Sequence, residues 1–507
     1  YEMLRSLVGS EMCIRDSNYI FASIARKNMD RIITVQDAVS RLPELGLKRP
    51  LNWRINRGEQ WAVVGATGSG KTLLTDILSG KTALKHGFVQ VSGDLRLCDT
   101  VKSISFKDIY TMTDSRNTYY QQRWHSGENE DVPIVKDILG EKMQGVLFRR
   151  LYRLFGIEEM LQKKIVYLSS GELRKFLLLR IMAENPRILI IDNPFIGLDE
   201  VSRRMFSDML EEIGKQGLLQ LVLILSDPSD IPSVITHVLP VSNGDYFPVV
   251  SREKFQADKV LLDKLFIRPG MRFPVLPVPV RSASTHKITF RMEHCTVKYK
   301  NRIILKELDW SVGNGEKWAL LGPNGCGKST LLSLVYADNP QSYANILYLF
   351  DRRRGTGESI WEIKKRIGYI SPEMHLFYRE DIPVIRVVSS GFFDSVGVFR
   401  ACTKSQEETA WKWMAVFGID NLGERSFLSL SGGEQRLVLL ARVFVKDPDL
   451  IILDEPLHGL DVVLKKHVSC VIDEFCRRPG KTLVYVTHYP EELPGCVTRY
   501  YKLEKNI

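Results

Sequence analysis

Short, mainly apolar runs punctuate an otherwise polar chain: Ile188-Leu189-Ile190-Ile191, Leu218 to Leu225 with Gln220 its one polar residue, and Leu450-Ile451-Ile452-Leu453. Runs of that length without polar alternation read as strands covered on both faces of a parallel sheet. Arg31 to Val35 reads as the first strand of the pattern. No apolar run reaches 18 residues, so no membrane-spanning helix is predicted. Ser251 to Phe266 reads as one charged amphipathic helix. Pro269, Pro274, Pro277 and Pro279 follow it, a density that forbids a regular helix and favours an extended spacer.

The pattern occurs twice. LSSGE (Leu168 to Glu172) precedes the run ending in Asp192, and Gly197-Leu198-Asp199 follows it; LSGGE (Leu430 to Glu434) precedes the run ending in Asp454, and Gly459-Leu460-Asp461 follows. Ser169 recurs as Ser431, Asp192 as Asp454 and Ser226 as His488, each at an offset of 262. Upstream of each set stands a G-x-x-x-x-G-K-[ST] loop, GATGSGKT and GPNGCGKS, whose first glycines are 257 apart. The first loop is Gly65, Ala66, Thr67, Gly68, Ser69, Gly70, Lys71 and Thr72. The second is Gly322, Pro323, Asn324, Gly325, Cys326, Gly327, Lys328 and Ser329, followed by Thr330. Glycines in such a loop let successive N–H groups converge on phosphate oxygens, the lysine bridges the terminal phosphates, and the hydroxyl of Thr72 or Ser329 ligates Mg²⁺.

Phosphate loop, LSGG-type signature, apolar strand ending in Asp and then a G-L-D turn, in that order and twice, resemble the nucleotide-binding domain of ATP-binding cassette (ABC) proteins. The stretches SLVYADNP (Ser333 to Pro340), FDRRRGTGESIWEIKKRIGYIS (Phe350 to Ser371) and SGFFDSVGVF (Ser390 to Phe399) further resemble the ModF family of molybdenum-transport ATP-binding, or photorepair, proteins. The resemblance implies an α/β fold: two P-loop NTPase cassettes in one chain, each a mostly parallel sheet with a helical subdomain. We place domain 1 at 18–250 and domain 2 at 287–507, with a helical then Pro-rich linker at 251–286. Residues 1–17, which lack an initiator Met, read as translated adapter sequence or a disordered extension.

The resemblance also implies that each ATP lies between one cassette's phosphate loop and the other's signature, so the chain closes on itself head to tail. One site then joins Gly322 to Ser329, Asp454, Glu455 and His488 to Ser169, Ser170 and Gly171. Asp454 holds Mg²⁺ through water, Glu455 polarises the attacking water, His488 contacts the γ-phosphate, and Lys328 clamps phosphate. Tyr299 has the spacing of the family's adenine-stacking aromatic; a half-buried strand aromatic is the alternative. Glu373 stands where many cassettes carry a glutamine and is a further candidate Mg²⁺ ligand. The other site joins Gly65 to Thr72 and Asp192 to Ser431, Gly432 and Gly433, with Asn193 at the general-base position, Ser226 matching His488, and Gln121 or Gln122 as its glutamine. Asn accepts no proton at neutral pH, and loss of general-base assistance costs about 10²- to 10⁴-fold in rate. The expected activity is therefore ATP + water → ADP + phosphate, run mainly at the second-domain site. Ser170 breaks the Ser-Gly-Gly pattern of the first signature; its side chain either restricts the approach to the γ-phosphate or adds a donor.

Composition adds little. The 507 residues suit two domains with a linker. The net charge of +10 is spread with acidic residues interspersed and reads as a solvated basic surface rather than a nucleic-acid footprint; Arg352, Arg353 and Arg354 form the one conspicuous cluster, read as a solvated turn. Eight cysteines without a C-x-x-C pair fit reduced thiols in a cytosol and argue against a zinc-bearing excision-repair protein. The expected partner is a protein, such as a membrane permease engaged from the cytoplasmic face and handling molybdate. A ribosome-bound ABC-F translation factor is the alternative. That class expects a long charged linker and two catalytic glutamates, neither of which occurs here.

Overall fold

A computed structural model describes residues 31–41, 47–93, 95–105, 133–140, 152, 157–165, 168, 170–196, 198–217, 219–266, 275–279, 284–299, 302–372, 374, 378, 381–395 and 401–504. The calls on residues 1–17, Gln121, Gln122, Ser169 and Glu373 lie outside the described residues.

Each half of the chain builds the same two-sheet unit. In the first, parallel strands run in the order Val101–Ser105, Ile188–Asp192, Gln220–Leu225, Trp61–Val64, His237–Ser242. In the second the order is Ile367–Ile370, Leu450–Asp454, Thr482–Val486, Lys317–Leu321, Arg499–Lys502. An antiparallel sheet lies beside each, built on the strands Arg31–Ser40 and Ile288–Tyr299.

Strand alternation explains why the runs have so few polar positions. Leu189, Ile191, Leu221 and Leu223 enter a core shared with the helices Ser170–Met182 and Glu200–Lys215. Ile188, Ile190, Val222 and Ile224 face the opposite side and pack with Trp53, Trp61 and Leu74. The second unit repeats this, with Ile451, Leu453 and Leu483 on one face and Leu450, Ile452 and Val484 on the other. Each such side chain, fully buried, contributes about 1.5–3 kcal/mol, and the sheet carries the site residues at its carboxyl ends.

The linker differs from expectation. Ser251 to Phe266 is not one helix but two, Arg252–Ala257 and Lys259–Phe266, because Asp258 leaves helical geometry and its carboxylate accepts from Leu261 N at 2.9 Å, starting the second helix. Phe255, Leu265 and Phe266 are buried in the first unit's core, so this helical part belongs to that cassette rather than to a free connector. Beyond it, Val275 to Pro279 has no regular structure and is tied to the second unit where Arg478 donates to Pro277 O. The arginine cluster also differs: only Arg352 and Arg353 face solvent. Arg354 turns inward, its guanidinium donating to Glu358 at 2.8 Å and to the Tyr343 hydroxyl at 2.9 Å.

Candidate active site

Each phosphate loop ends in a left-handed glycine, Gly70 (φ 98°) or Gly327 (φ 102°), that caps the helix beginning at Lys71 or Lys328. That backbone conformation is open mainly to glycine. The loop's first glycine is required for space: a Cβ on Gly65 would stand 2.0 Å from Val241 O, and one on Gly322 2.5 Å from Leu503 O. Lys71 Nζ donates to Gly65 O and Ala66 O, both at 2.8 Å, and Lys328 Nζ to Gly322 O at 2.7 Å and Pro323 O at 3.0 Å. Both amines are buried at a helix N-terminus, while the neighbouring Thr72 and Ser329 remain exposed. A lysine amine at a helix N-terminus beside a reachable hydroxyl suits a Mg²⁺-bound polyphosphate.

The two halves meet head to tail at these loops. Thr67 N donates to Asp461 Oδ2 at 2.8 Å, and Asp461 N donates back to Thr67 Oγ1 at 3.2 Å. Asp461 spends its other oxygen capping its own helix, accepting from Val463 N and Leu464 N. The matching contact at the second loop is longer, Asn324 N to Asp199 Oδ2 at 3.5 Å. Burial pushes the Asp199 carboxyl up, but hydrogen bonds from Ser202 and the Asn324 amide outweigh it and hold it below its ordinary value. Gly433, in the second signature, lies so close to the first loop that a Cβ would stand 2.0 Å from Thr67 Cγ2. The first-signature residue at the same offset is Gly171, so the departure at Ser170 does not fall on the position of tightest approach. Ser431 caps the helix Gly432–Phe444 in a reciprocal box with Glu434. Glu434 Oε1 in turn lies 2.9 Å from the Cβ position of Gly68, whereas a Cβ on the matching Gly325 meets nothing within 4 Å among the described residues.

At the carboxyl ends of the central strands the two halves share backbone and differ in chemistry. Glu455 (φ 49°) and Asn193 (φ 48°) are both left-handed, and each donates its N–H to the neighbouring strand, to Val486 O at 2.9 Å and Ile224 O at 3.0 Å. Arg436 and Arg174, at the repeat offset, lie beneath the turns and donate to Pro456 O and Pro194 O. Arg436 also holds Ser371 O, Asp454 O and Glu455 O. Asp454 is buried at its strand end and Asp192 half-buried.

The Glu455 carboxylate stands between two imidazoles: His458 Nδ1 is 2.8 Å from Oε2 and His488 Nε2 is 2.8 Å from Oε1. Each ring nitrogen stands at contact distance from its own carboxylate oxygen, so the carboxylate is flanked at both ends. Burial pushes the Glu455 carboxyl up, and the two imidazoles more than reverse this, holding it well below the usual carboxylate range. Asn193 instead turns its amide onto its neighbour, Nδ2 donating to Asp192 Oδ1 at 2.7 Å. Tyr299 ends its strand half-buried against the core, and its hydroxyl accepts from Asn339 Nδ2 at 2.9 Å.

Arg436, Tyr489 and His458 are site neighbours that no motif singled out, and Asp199 and Asp461 were read only as the ends of the G-L-D turns, without a partner. Tyr489, beside His488, donates its hydroxyl to Leu198 O at 2.8 Å and accepts from Arg203 at 3.2 Å, tying the first unit's G-L-D turn to the second unit's switch. The repeat of the G-L-D aspartates was the one available signal. Their partners lie far off in sequence.

The ABC transporter family profile matches residues 48–196 and 305–458. The chain is similar to the ABC transporter ATP-binding protein ModF of Escherichia coli, 35% identical over 452 residues, which is 88% of this chain and 91% of that protein. It is also similar to an uncharacterized ABC transporter ATP-binding protein of Schizosaccharomyces pombe, 28% identical over 89% of this chain and 94% of that protein. Among solved structures, one titled RNase-L Inhibitor covers 92% of this chain and 87% of its own with a TM-score of 0.51 at 18% identity, a likeness of fold alone. No helix among the described residues is long and apolar enough to cross a membrane. With two matched cassettes and a relative that shares over a third of its residues along nearly the whole length, the chain belongs to the ABC transporter family as a tandem ABC ATPase.

Proposed function

We propose that ATP and Mg²⁺ bind at both interfaces and that hydrolysis runs mainly at the site made by Gly322 to Ser329, Asp454, Glu455 and His488, completed by the first signature. One observation carries this reading: in the same left-handed turn, one half presents a buried carboxylate and the other an amide already bonded to its neighbouring aspartate. Ser329 and Asp454 would hold Mg²⁺, which when bound would supply charge to offset that developing on the phosphates. Lys328 fixes the terminal phosphates, and Tyr299 supplies the aromatic for adenine. Glu455 orients and polarises the attacking water through one carboxylate oxygen. His488, at contact distance from Glu455, turns to the γ-phosphate when nucleotide enters.

At the other site Lys71, Thr72 and Asp192 retain the binding set, and Asn193 removes the base, a loss worth about 10²- to 10⁴-fold in rate. Thr67 and Asp461 hold that interface shut. The cycle of closing and opening drives a protein partner; the transport name of the Escherichia coli relative supports a permease, and the resemblance to molybdenum-transport ATP-binding proteins suggests molybdate as its cargo. The test is steady-state ATPase activity with a nucleotide count per chain for wild type, Glu455→Gln and Asn193→Gln. Loss of turnover in the first variant with two nucleotides retained, and little change in the second, is expected. Turnover largely intact in Glu455→Gln overturns the assignment.

A further inference from the structure

Three positions around the strand end differ together between the halves. Glu455, His458 and His488 in the second correspond to Asn193, Ile196 and Ser226 in the first. The turns that carry them match: His458 N donates to Glu455 O at 3.3 Å, and Ile196 N to Asn193 O at 3.3 Å. The turn therefore forms without needing a histidine at that position, as Ile196 shows. What histidine adds is a buried ring nitrogen 2.8 Å from Glu455 Oε2.

We propose that His458 is a positioning residue for hydrolysis. The proposal rests on the reading of Glu455 as the water-orienting group. A carboxylate that must present one oxygen to water reacts best when the other is fixed. His488 sits on Oε1 but is also the group expected at the γ-phosphate, and one imidazole nitrogen cannot serve both. His458, held by its short turn, keeps Oε2 anchored when His488 leaves. Oε1 is then free and aimed, and loss of the anchor leaves a carboxylate able to swing, for which misplacement near 1 Å costs about 100-fold in rate.

The test compares His458→Ile, which copies the first half, with His458→Asn, whose Nδ2 falls where histidine carries Nδ1. Turnover number, KM and binding of a non-hydrolysable ATP analogue are measured on the full chain, alone and with Glu455→Gln. His458→Ile is expected to lower kcat at least tenfold with analogue affinity and nucleotide count unchanged, His458→Asn to recover most of it, and His458→Ile to cost nothing further beside Glu455→Gln. If Glu455→Gln abolishes turnover while His458→Ile leaves kcat intact, the inference fails and the Glu455 reading stands. If Glu455→Gln itself leaves turnover intact, both fail. If His458→Asn is as damaged as His458→Ile, or analogue binding falls with kcat, the role is packing and the positioning inference is overturned.

Discussion

Replacing Gly433 with alanine adds a single methyl where the two cassettes approach most closely. Its carbon would stand 2.0 Å from Thr67 Cγ2, 3.0 Å from Thr67 Oγ1 and 3.1 Å from Gly459 O. Apolar carbons rest at about 3.5–4 Å, so the signature and the first phosphate loop must part by about 1.5–2 Å, or Thr67 must rotate. Rotation is opposed because Thr67 is β-branched and its hydroxyl accepts from Asp461 N. Overpacking of this kind costs about 1–3 kcal/mol, which lowers the closing constant at the Gly65 site by about 5- to 150-fold. The same change inside the helix Gly432–Phe444 favours folding of its own cassette, alanine being about 1 kcal/mol better than glycine there. Closure and stability should thus move in opposite directions. The assay is the release rate of a fluorescent ATP analogue in the Glu455→Gln background, beside the unfolding temperature. Faster release, an unfolding temperature no lower, and recovery of most of the loss on adding Thr67→Ser, which deletes Cγ2 but keeps the hydroxyl, are expected. Release within twofold of the parent, or no recovery by Thr67→Ser, refutes the geometry.

Glu358 accepts from Arg354 Nη1, Gly355 N and Thr356 N, which outweigh the upward push of burial and hold its carboxyl at about 2. Its pKa is lowered on folding, so its stabilisation is present above about pH 4.5 and is lost as pH falls through about 2; Glu358→Gln should cost about 3 kcal/mol at pH 7 and well under about 1 kcal/mol at pH 2, read from unfolding temperatures across that range. Arg436→Lys keeps the charge but cannot span the four carbonyls of Ser371, Asp454, Glu455 and Pro456. It should destabilise by about 3–5 kcal/mol, seen as a lower unfolding temperature together with lost ATPase activity. Placing Asn193→Glu, Ile196→His and Ser226→His together in the Glu455→Gln background should raise ATPase activity about 100-fold over that background, and Asn193→Glu alone far less.

The parts legible in the sequence were those that a residue type alone dictates. Glycine-rich loops ending in Lys announce phosphate binding because few side chains tolerate those backbone angles, and strands buried on both faces have little room for polar residues. The parts that stayed hidden depend on where distant segments meet or how a side chain turns. Nothing local says that Thr67 will share two hydrogen bonds with Asp461, that Arg354 will fold inward onto Glu358, or that Asp258 will restart a helix. The spacing of Tyr299 was readable, but its bond to Asn339 was not. His458 lay between motifs; only its comparison with Ile196 across the repeat, made meaningful by the 2.8 Å contact, gives it a role.

The interface is unequal in a way that matches the unequal chemistry. At the Gly65 loop the opposite half binds the phosphate loop itself, through a buried carboxylate bonded to Thr67 N at 2.8 Å, a charge-assisted bond worth about 1.5–3 kcal/mol. At the Gly322 loop the matching bond, at 3.5 Å, is at the edge of what counts as one. There the stronger cross-contact runs through Tyr489 to Leu198 and Arg203, adjacent in sequence to His488. On the assignment proposed above, the Gly65 site would have no phosphate release to reopen it, so bonding its loop directly would cost the cycle nothing and would provide a pivot. The Gly322 site would have to open each turn, and there the cross-contact runs through the residue beside His488. Movement of His488 as phosphate leaves would then pull Tyr489 from the first half's G-L-D turn, coupling the chemical step to opening on one side only.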